Sequence, residues 1–493
     1  MRRIVPLLFF FCCIARSAVA ADAVDAWYEM ELLGQPAGWS HSLEQPDDGE
    51  IQFSSETSMR IKRGVMEVSI RMQSTWVETV DGKPITMTMR QDMSGQRMTT
   101  LWTFNGDTIE VTGSQGGRRT TSTVPAPKET WYPAGALLRE TARRVMAGEE
   151  QFSLRTMLPD MGVKIVTVTS TRTGSEDYEL DGELIPVTIW KVSNDAMPFG
   201  SIVKMDSQGR MVENTTDAPF GKIIMRKSSK SKAMAMLDGA DAPELMETLM
   251  VPVDRPIVGW RTDRTATFRL KARKGDVPQL PSAGFQRVDP AADDGTVEVR
   301  VDLDAPSVAS EADRTSKVLL GTSTMIDPTD PAVIELKDKA LDGVGPGEAD
   351  RAEALRVEVH EWITRKDYAT VYATASETAR TRTGDCTEHG VLLAAMLRAD
   401  GIPARVASGA VYLPPGVVAE GPVFGWHMWT QAIIDGHWVD LDATLPVSYS
   451  VGHLLADTSA MTESEGMSDQ MNLLALIGNL QVDVLSEDDS TGP

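Results

Sequence analysis

The stretch TGDCTEHGVLLAAMLRAD, residues 383–400, carries the signals of a helix that begins just after an aspartate. Its Thr-Gly-Asp opening is typical of a turn that ends in a capping residue, and good helix formers with apolar residues on one side follow it. Gly401 then stands where a left-handed C-cap belongs, and Pro403 cannot continue the helix. The pattern predicts a helix with Cys386 in its first turn, where free N–H groups and the helix dipole favour a thiolate.

The first twenty residues have the composition of a secretory signal. Two arginines precede a short apolar core that contains Cys12 and Cys13, and the segment ends in Ala-x-Ala. This order predicts a signal peptide over residues 1–20, cleaved before Ala21, and export to the periplasm or out of the cell. The apolar run is too short to span a bilayer and no later run is longer, so we expect no stable membrane span in the mature chain.

Cys386 is then the only cysteine of the mature chain. A lone thiol in an exported protein cannot form an internal disulfide, so Cys386 is either an inert buried side chain or a reactive group. The carboxylates of Asp385 and Glu388 oppose a thiolate at this position. A reactive Cys386 therefore requires a nearby cation, most simply a histidinium.

The chain as a whole is acidic. Its 493 residues include 71 acidic and 48 basic ones, for a formal net charge of −23. Such a chain repels phosphate backbones, which argues against nucleic acid as a partner. The length leaves room for roughly three domains.

Residues 21–235 are dominated by short alternating runs that turn signals separate, with one helical interruption at 129–146. Many strands with few helices predict an antiparallel β domain, built as a curved sheet or a partial barrel. Three further regions follow: a connector with a small β module at 236–315, a region of helices and strands at 316–460, and a short helix with a disordered acidic tail at 461–493. In the small module, residues 265–272 and 296–304 alternate and predict paired strands, and the helix is expected within 471–485.

Residues 425–444 read GWHMWTQAIIDGHWVDLDAT and contain two alternating runs on either side of Asp435-Gly436. Asp-Gly between two such runs is a strong signal for a hairpin with a two-residue turn. That turn places His427 opposite Thr444 and Trp429 opposite Asp442.

The two faces of the predicted hairpin carry different polar side chains. Side-chain alternation puts His427, Trp429 and Asp442 on one face. His427 and Asp442 are then diagonal neighbours, about 7–8 Å apart at the backbone and within reach of one side-chain hydrogen bond. Asp440 shares this face one step further from His427, and His437 lies on the other face.

A thiol at a helix start and a His–Asp pair on a hairpin are the groups that a cysteine acyl-transfer site needs. The imidazole of His427 would take the Cys386 proton and later protonate a leaving amine. The Asp442 carboxylate would fix the ring tautomer and stabilise the positive ring. The alternative interpretation has Cys386 buried and inert, and His427 packed among neighbouring tryptophans.

Four motifs together resemble the core of the transglutaminase-like superfamily: TGDCTEH at 383–389, RADGIPAR at 398–405, GWHMW at 425–429 and WVDLDAT at 438–444. The resemblance covers about residues 345–446 and implies a papain-related α+β core at the C-terminal side of a multidomain α+β chain. It implies Cys386 as nucleophile, His427 as base and Asp442 as orienting acid. It also implies a protein or peptide substrate, attacked at a glutamine side chain or a peptide amide.

The source of the oxyanion hole stays open. The stretch before Cys386 has no clear counterpart of the family's oxyanion-hole tryptophan, Tyr368 and Tyr372 are weak substitutes, and the Cys386 backbone N–H is another donor. His389, one helical turn along, either tunes the thiolate or packs beside the site, and we expect packing. His360 and His453 have no partner that the sequence identifies. The spacing of histidines and carboxylates predicts no metal site, and we expect no cofactor.

The sequence thus predicts an exported cysteine acyltransferase or hydrolase that works through a thioester. The acyl group passes either to water, as in a peptidase or amidase, or to an amine, as in protein cross-linking; we lean slightly to hydrolysis. The alternative is a non-enzymatic ligand- or protein-binding protein in which the transglutaminase-like core is a scaffold. No oligomeric state is predicted.

Overall fold

The structure of the protein, a computed structural model, describes residues 24–485 except 65, 159–160, 198, 219–220, 240 and 366–372. The predicted signal peptide, the predicted acidic tail after residue 485, and both Tyr368 and Tyr372 lie outside the described residues. No helix in the described part of the chain combines the length and the hydrophobicity that crossing a bilayer requires.

An antiparallel sheet of fourteen strands occupies the N-terminal half of the chain, which confirms the predicted antiparallel β region. Its strands are β1 (Asp25–Leu32), β2 (Gln35–Asp47), β3 (Glu50–Arg63), β4 (Met66–Thr79), β5 (Pro84–Met93), β6 (Gln96–Asn105), β7 (Thr108–Gln115), β8 (Arg118–Pro125), β9 (Gln151–Met157), β10 (Ile165–Leu180), β11 (Glu183–Asn194), β12 (Ser201–Met205), β13 (Met211–Ala218) and β14 (Gly221–Ser228). The meanders β1–β8 and β9–β14 meet where β1 pairs with β14.

Buried and more exposed side chains alternate along the chain, which is why these residues form strands. In β1, every second side chain from Ala26 to Leu32 is buried and the side chains between them are more exposed, as the period of two requires. Helix α1 (Ala134–Met146) connects β8 to β9 and agrees with the predicted helical interruption.

A buried ion-pair cluster holds α1 against the sheet. Arg139 donates to Glu44 Oε2 at 2.6 Å and also to Glu78 Oε1. Glu78 has no exposed surface, and burial raises its pKa although Arg139 opposes the shift. The other Glu78 oxygen accepts the Ala136 N–H at 3.3 Å. The cluster ties the start of α1 to β2 and β4.

Replacing Arg139 by alanine is expected to destabilise the protein by about 3–5 kcal/mol, because two buried carboxylates lose their cation. Chemical denaturation followed by circular dichroism measures this loss. The matched control is Arg143→Ala in the same helix, where an exposed guanidinium pairs with Glu140 and the expected change is small. Equal losses in the two variants would contradict a role for the buried cluster.

A second, four-stranded sheet follows, with the order β17-β18-β16-β24. Its strands are β16 (Thr265–Ala272), β17 (Gln286–Val288), β18 (Val297–Asp302) and β24 (Leu480–Leu485). β16 pairs with β18, as the alternation predicted. The helix expected within 471–485 is wrong beyond its first part, because α10 covers only Met471–Leu476 and Gly478 then turns the chain at a φ of 72°. The LQVDVL segment after it alternates and pairs with β16.

The third sheet belongs to the region of Cys386 and has the order β19-β22-β21-β20-β23, with β15 also paired to β21. Its strands are β15 (Met250–Pro252), β19 (Ser307–Val308), β20 (Ala404–Leu413), β21 (Val423–Ile434), β22 (His437–Leu441) and β23 (His453–Ser459). The helices after α1 and before α10 are α2 (Lys230–Ala235), α3 (Met246–Leu249), α4 (Glu311–Arg314), α5 (Lys317–Leu320), α6 (Pro331–Ala340), α7 (Glu348–Trp362), α8 (Ala375–Thr381) and α9 (Cys386–Ala399), and a 3-10 helix spans Gly466–Gln470.

Helix α9 is the centre of this region. Its residues from Glu388 to Arg398 are all buried, so the helix is enclosed on every side and not only on the one apolar side that the sequence indicated. It packs on β20 and β21, and α6, α7 and α8 contact it as well. The apolar side chains of α9 therefore form the core that holds the first turn, with Cys386, against the sheet.

The predicted division of the chain into domains stays a prediction. Some strands pair across its boundaries at residues 315 and 460. β15 and β19 come from residues 236–315 but pair with β21 and β22 of the third sheet. β24 comes from the region after residue 460 and completes the small sheet.

Candidate active site

Cys386 is the first residue of α9, as the capping signal predicted. The side chain of Asp385 accepts the Thr387 N–H at 2.9 Å, and the side chain of Glu388 accepts the Asp385 N–H at 2.8 Å, which together make a capping box. The cap fixes the first turn of the helix and the position of the Cys386 backbone. Cys386 is a free, partly exposed thiol.

Glu388 is less of an obstacle to a thiolate than the sequence indicated. Its side chain is fully buried, and it also accepts the Ala373 N–H at 2.8 Å. Burial, reinforced by the charge of Asp385, raises the pKa of Glu388 to about 8. Since burial disfavours the charged form of this carboxyl, Glu388 adds less negative charge beside the sulfur than an exposed glutamate would.

The hairpin has the predicted turn and register. Ile434 pairs with His437, and the ladder continues to Thr430 opposite Leu441. Asp435 and Gly436 have φ values of 48° and 80°, as a two-residue turn with both residues left-handed requires.

Beyond Leu441 the predicted pairing is wrong. β22 ends there, so neither Asp442 nor Thr444 continues the ladder with β21. The Asp442 N–H instead donates to the Ser448 carbonyl at 2.5 Å. The predicted face of the hairpin is nevertheless correct, because Asp442 still turns its carboxylate toward His427.

The Asp442 carboxylate is buried and accepts hydrogen bonds on both oxygens. Oδ2 accepts from His427 Nε2 at 2.8 Å and from His453 Nε2 at 3.1 Å. Oδ1 accepts the backbone N–H groups of Thr444 at 2.7 Å and Leu445 at 3.4 Å. Burial alone would raise the pKa of Asp442, but the charge of His427 and the hydrogen bonds of both histidines hold it well below its usual range. Asp442 is therefore an ionised acceptor.

The imidazole of His427 interacts with both Asp442 and Cys386. Its Nε2 donates to Asp442 at 2.8 Å, and the nearby Cys386 thiol contributes to the pKa of the ring, with Nδ1 as the nitrogen left to face the sulfur. Burial alone would lower the pKa of His427, but Asp442 and, to a smaller extent, Cys386 raise it to about 10. The ring is thus the cation that the sequence required beside a reactive Cys386.

This raised pKa predicts a pH-dependent stability. A histidine that binds its proton more tightly when folded contributes fully below its unfolded pKa of about 6.5. The contribution is lost as the pH rises through about 10, the folded value. We expect the difference in unfolding free energy between the wild-type and His427→Gln proteins to shrink between about pH 6 and about pH 10, as denaturant titrations measure. A difference that stayed constant would mean that the folded ring does not hold its proton.

Asp440 lies on the same face of the hairpin, and its carboxylate is held by hydrogen bonds from neighbouring residues. It accepts from Trp429 Nε1 at 2.7 Å, Gln431 Nε2 at 2.8 Å and the Phe285 N–H at 3.0 Å. Burial raises the pKa of Asp440. Gly284 permits this packing, since a Cβ there would lie 1.9 Å from an Asp440 oxygen. Asp440 therefore fixes the hairpin to the chain just before β17 of the four-stranded sheet.

Three other histidines lie near the site, each with Nδ1 within hydrogen-bonding distance of a backbone carbonyl. His389 is buried and its Nδ1 faces the Asp385 carbonyl, in agreement with the expected packing. His360 Nδ1 lies 2.9 Å from the Ala443 carbonyl and so supports the backbone just after Asp442. His437 lies at the turn, with Nδ1 3.0 Å from the Asp435 carbonyl.

His453 is a residue of this site that the sequence did not indicate. Residues 453–459 alternate weakly, but nothing in the sequence tells with which strand they pair. In the structure β23 lies beside β20, on the side opposite β21, and this order alone brings His453 to Asp442.

His427, Asp442 and His453 also form a group of possible metal ligands that the sequence spacing did not reveal, with one ligand atom of each within 4.8 Å of the others. In the structure both Nε2 atoms donate protons to the same Asp442 oxygen. A ring nitrogen that carries a proton has no lone pair for a metal ion. The cluster as it stands is therefore a hydrogen-bonded network.

Two solved structures resemble parts of the chain at low similarity. A beta-barrel-like protein of a domain of unknown function from Brucella abortus is 11% identical, with a TM-score of 0.34, and the match covers 42% of this chain and 96% of that chain. The periplasmic domain of TgpA from Pseudomonas aeruginosa bound to ethylmercury is 17% identical, with a TM-score of 0.26, and the match covers 38% of this chain and 92% of that chain. Curated proteins gave no match.

The match to a known family lies in the region of the site. Residues 336–443 match the family model of the transglutaminase-like superfamily. This segment includes Cys386, His427 and Asp442, and it begins and ends close to the limits that the four motifs indicated. Residues 336–443 therefore form a transglutaminase-like core, which confirms the resemblance predicted from the sequence.

Proposed function

We propose that Cys386, His427 and Asp442 are a catalytic triad with which the protein attacks amide carbonyls of proteins or peptides. The observation that carries this proposal is the position of the His427 ring, which donates to the Asp442 carboxylate at 2.8 Å and lies close enough to Cys386 for the thiol to help raise the pKa of the ring. A purely structural histidine needs neither a partly exposed thiol nor an ionised acid as its partners.

In the proposed first step, the Cys386 proton resides on His427 and the thiolate attacks the carbonyl carbon. The carbonyl electron pair moves to oxygen, and when it returns, the carbon–nitrogen bond breaks. His427 gives its proton to the leaving nitrogen, so ammonia or an amine departs and a thioester remains on Cys386. Asp442 keeps the ring oriented while its charge changes.

The backbone N–H of Cys386 is the proposed donor to the carbonyl oxygen. The neighbouring N–H groups of Asp385 and Thr387 are occupied by the capping box. Among the described residues, the Cys386 N–H has no hydrogen-bond acceptor. An N–H at the positive end of a helix, next to the nucleophile, suits the negative charge that develops on oxygen.

In the second step, an acceptor gives its proton to His427 and attacks the thioester, which releases the acyl group. Water as the acceptor gives peptidase or amidase activity, and an amine gives a cross-link. We propose hydrolysis as the main reaction of a protein that is exported, an inference that rests on the N-terminal pattern of residues 1–20.

Incubation with a glutamine peptide and a fluorescent amine tests the function and distinguishes the acceptors. Deamidated or cleaved peptide without label is the expected result, and labelled peptide would show transfer to the amine. The Cys386→Ala protein is the control and should give neither product. Equal product from both proteins would contradict a role for Cys386.

A further inference from the structure

His453 contacts the proposed triad from the strand opposite His427. β20 lies between β21 and β23, with Gly409 paired to His427 and Val411 paired to His453. Positions 409 and 411 of one strand point to the same face, so both histidine rings do so too. The ring centroids of the two histidines are 6.0 Å apart, and Asp442 Oδ2 lies within hydrogen-bonding distance of both.

The His453 ring has a single orientation available to it. Its Nδ1 lies 3.0 Å from the Ser450 carbonyl and 3.3 Å from Ser450 Oγ, and Tyr449 stacks on the ring with centroids 4.1 Å apart. His453 has no exposed surface. Its Nε2 is the donor toward Asp442, because an ionised carboxylate oxygen only accepts, and in a neutral ring Nδ1 then accepts from the Ser450 hydroxyl.

We propose that His453 is a positioning residue of the triad, which holds Asp442 Oδ2 in place at hydrogen-bonding distance from His427 Nε2. The inference rests on the proposed function of Cys386, His427 and Asp442. The backbone N–H of Thr444 anchors the Oδ1 atom, and His453 anchors the Oδ2 atom, so the carboxylate cannot rotate when His427 gives up and regains its proton. Without the His453 donor, Asp442 Oδ2 keeps only its hydrogen bond to His427, and the carboxylate loses one of the contacts that fix its orientation.

The test compares a variant that removes the N–H donor of His453 with a variant that keeps an N–H donor in the same place. His453→Leu fills the space without an N–H, whereas His453→Gln places an amide N–H near the position of Nε2. The rate at which iodoacetamide alkylates Cys386 is the readout, because it reports the thiolate–imidazolium pair without a known substrate. We expect alkylation to slow about tenfold or more in His453→Leu and to remain within about threefold of wild type in His453→Gln.

A double-mutant cycle separates positioning from packing. In an Asp442→Ala background, His453→Leu should slow alkylation no further, since the residue acts through the carboxylate. His437→Gln, at the exposed turn of the same hairpin, is the control and should leave the rate unchanged. If His453→Leu does not fold, as circular dichroism shows, His453→Asn replaces it, because its amide is too short to reach Asp442.

Several outcomes would overturn the inference. They are an unchanged or faster alkylation in His453→Leu, failure of His453→Gln to restore the rate, or an undiminished effect of His453→Leu in the Asp442→Ala background. One bound zinc per chain that is lost in His453→Leu would also overturn it, since the side chains would then be ligands. If His427→Ala itself leaves the alkylation rate unchanged, the proposed triad fails, and that failure is distinct from any of these.

Discussion

Replacing Cys386 by alanine is expected to reduce the conversion of a glutamine peptide to the uncatalysed background, a loss of at least about 10⁴-fold. No other thiol is present among the described residues to form the thioester. Product formation measured by mass spectrometry with wild-type and variant protein gives this ratio.

Cys386→Ser tests the need for a thiol more specifically than Cys386→Ala does. It keeps a nucleophilic atom at the same helix start, but a serine hydroxyl is a far weaker acid than a thiol, and the His427 ring would not hold it as an alkoxide. We therefore expect Cys386→Ser to be nearly as inactive as Cys386→Ala. Both variants should keep the circular dichroism spectrum of the wild type, because Cys386 is partly exposed. Retained turnover in either folded variant would show that the reaction occurs elsewhere.

Asp442→Asn is expected to lower turnover by roughly 10³–10⁴-fold with little change in KM. Both Asp442 oxygens accept N–H groups. An amide offers only one acceptor oxygen, so its NH₂ group must face either His427 or the Thr444 N–H. Loss of the negative charge also removes what raises the pKa of His427, so the ring no longer holds its proton beside Cys386. Steady-state kinetics on the peptide substrate measures both constants.

Asp435→Asn is the matched control for this substitution. Asp435 is exposed at the turn of the same hairpin, in a left-handed conformation that asparagine adopts readily. We expect kcat and KM to remain unchanged in this variant. A loss of turnover in Asp435→Asn as large as that in Asp442→Asn would mean that the hairpin as a whole, and not the Asp442 charge, controls the rate.

The parts of the site that are local in sequence could be predicted. The Thr-Gly-Asp turn marks the start of α9. The capping box of Asp385 and Glu388 involves residues that are only three positions apart in the sequence. Asp435-Gly436 sets the register of β21 and β22, and the register sets the face of His427. In both cases a short-range backbone preference leaves one geometry, so pattern reasoning is sufficient.

The parts that depend on distant strands could not be predicted. His453 reaches Asp442 only because β23 pairs with β20, and a weakly alternating run does not specify its neighbour. Glu388 was expected to oppose the thiolate, but the packing of α9 buries it and raises its pKa to about 8. Burial of a polar helix residue depends on what surrounds the helix, which the local sequence does not contain.

The same limit explains the errors in the fold. The LQVDVL segment of β24 follows a helix and was expected to continue it, although Gly478 turns the chain. β15 and β19 are two or three residues long, too short for alternation to be recognised, and each owes its structure to a partner strand in the third sheet.

The measurement that tests the central claim most directly is the rate of alkylation of Cys386 by iodoacetamide, compared between the mature wild-type chain, His427→Ala and a free model thiol. A free thiol is only a few per cent ionised at pH 7. If Cys386 and His427 form an ion pair supported by Asp442, the wild type reacts at least about tenfold faster than the model thiol at pH 6–7, and His427→Ala falls to the rate of the model thiol. A wild-type Cys386 that reacts no faster than the model thiol, with or without His427, would contradict the account and favour a scaffold role for the transglutaminase-like core.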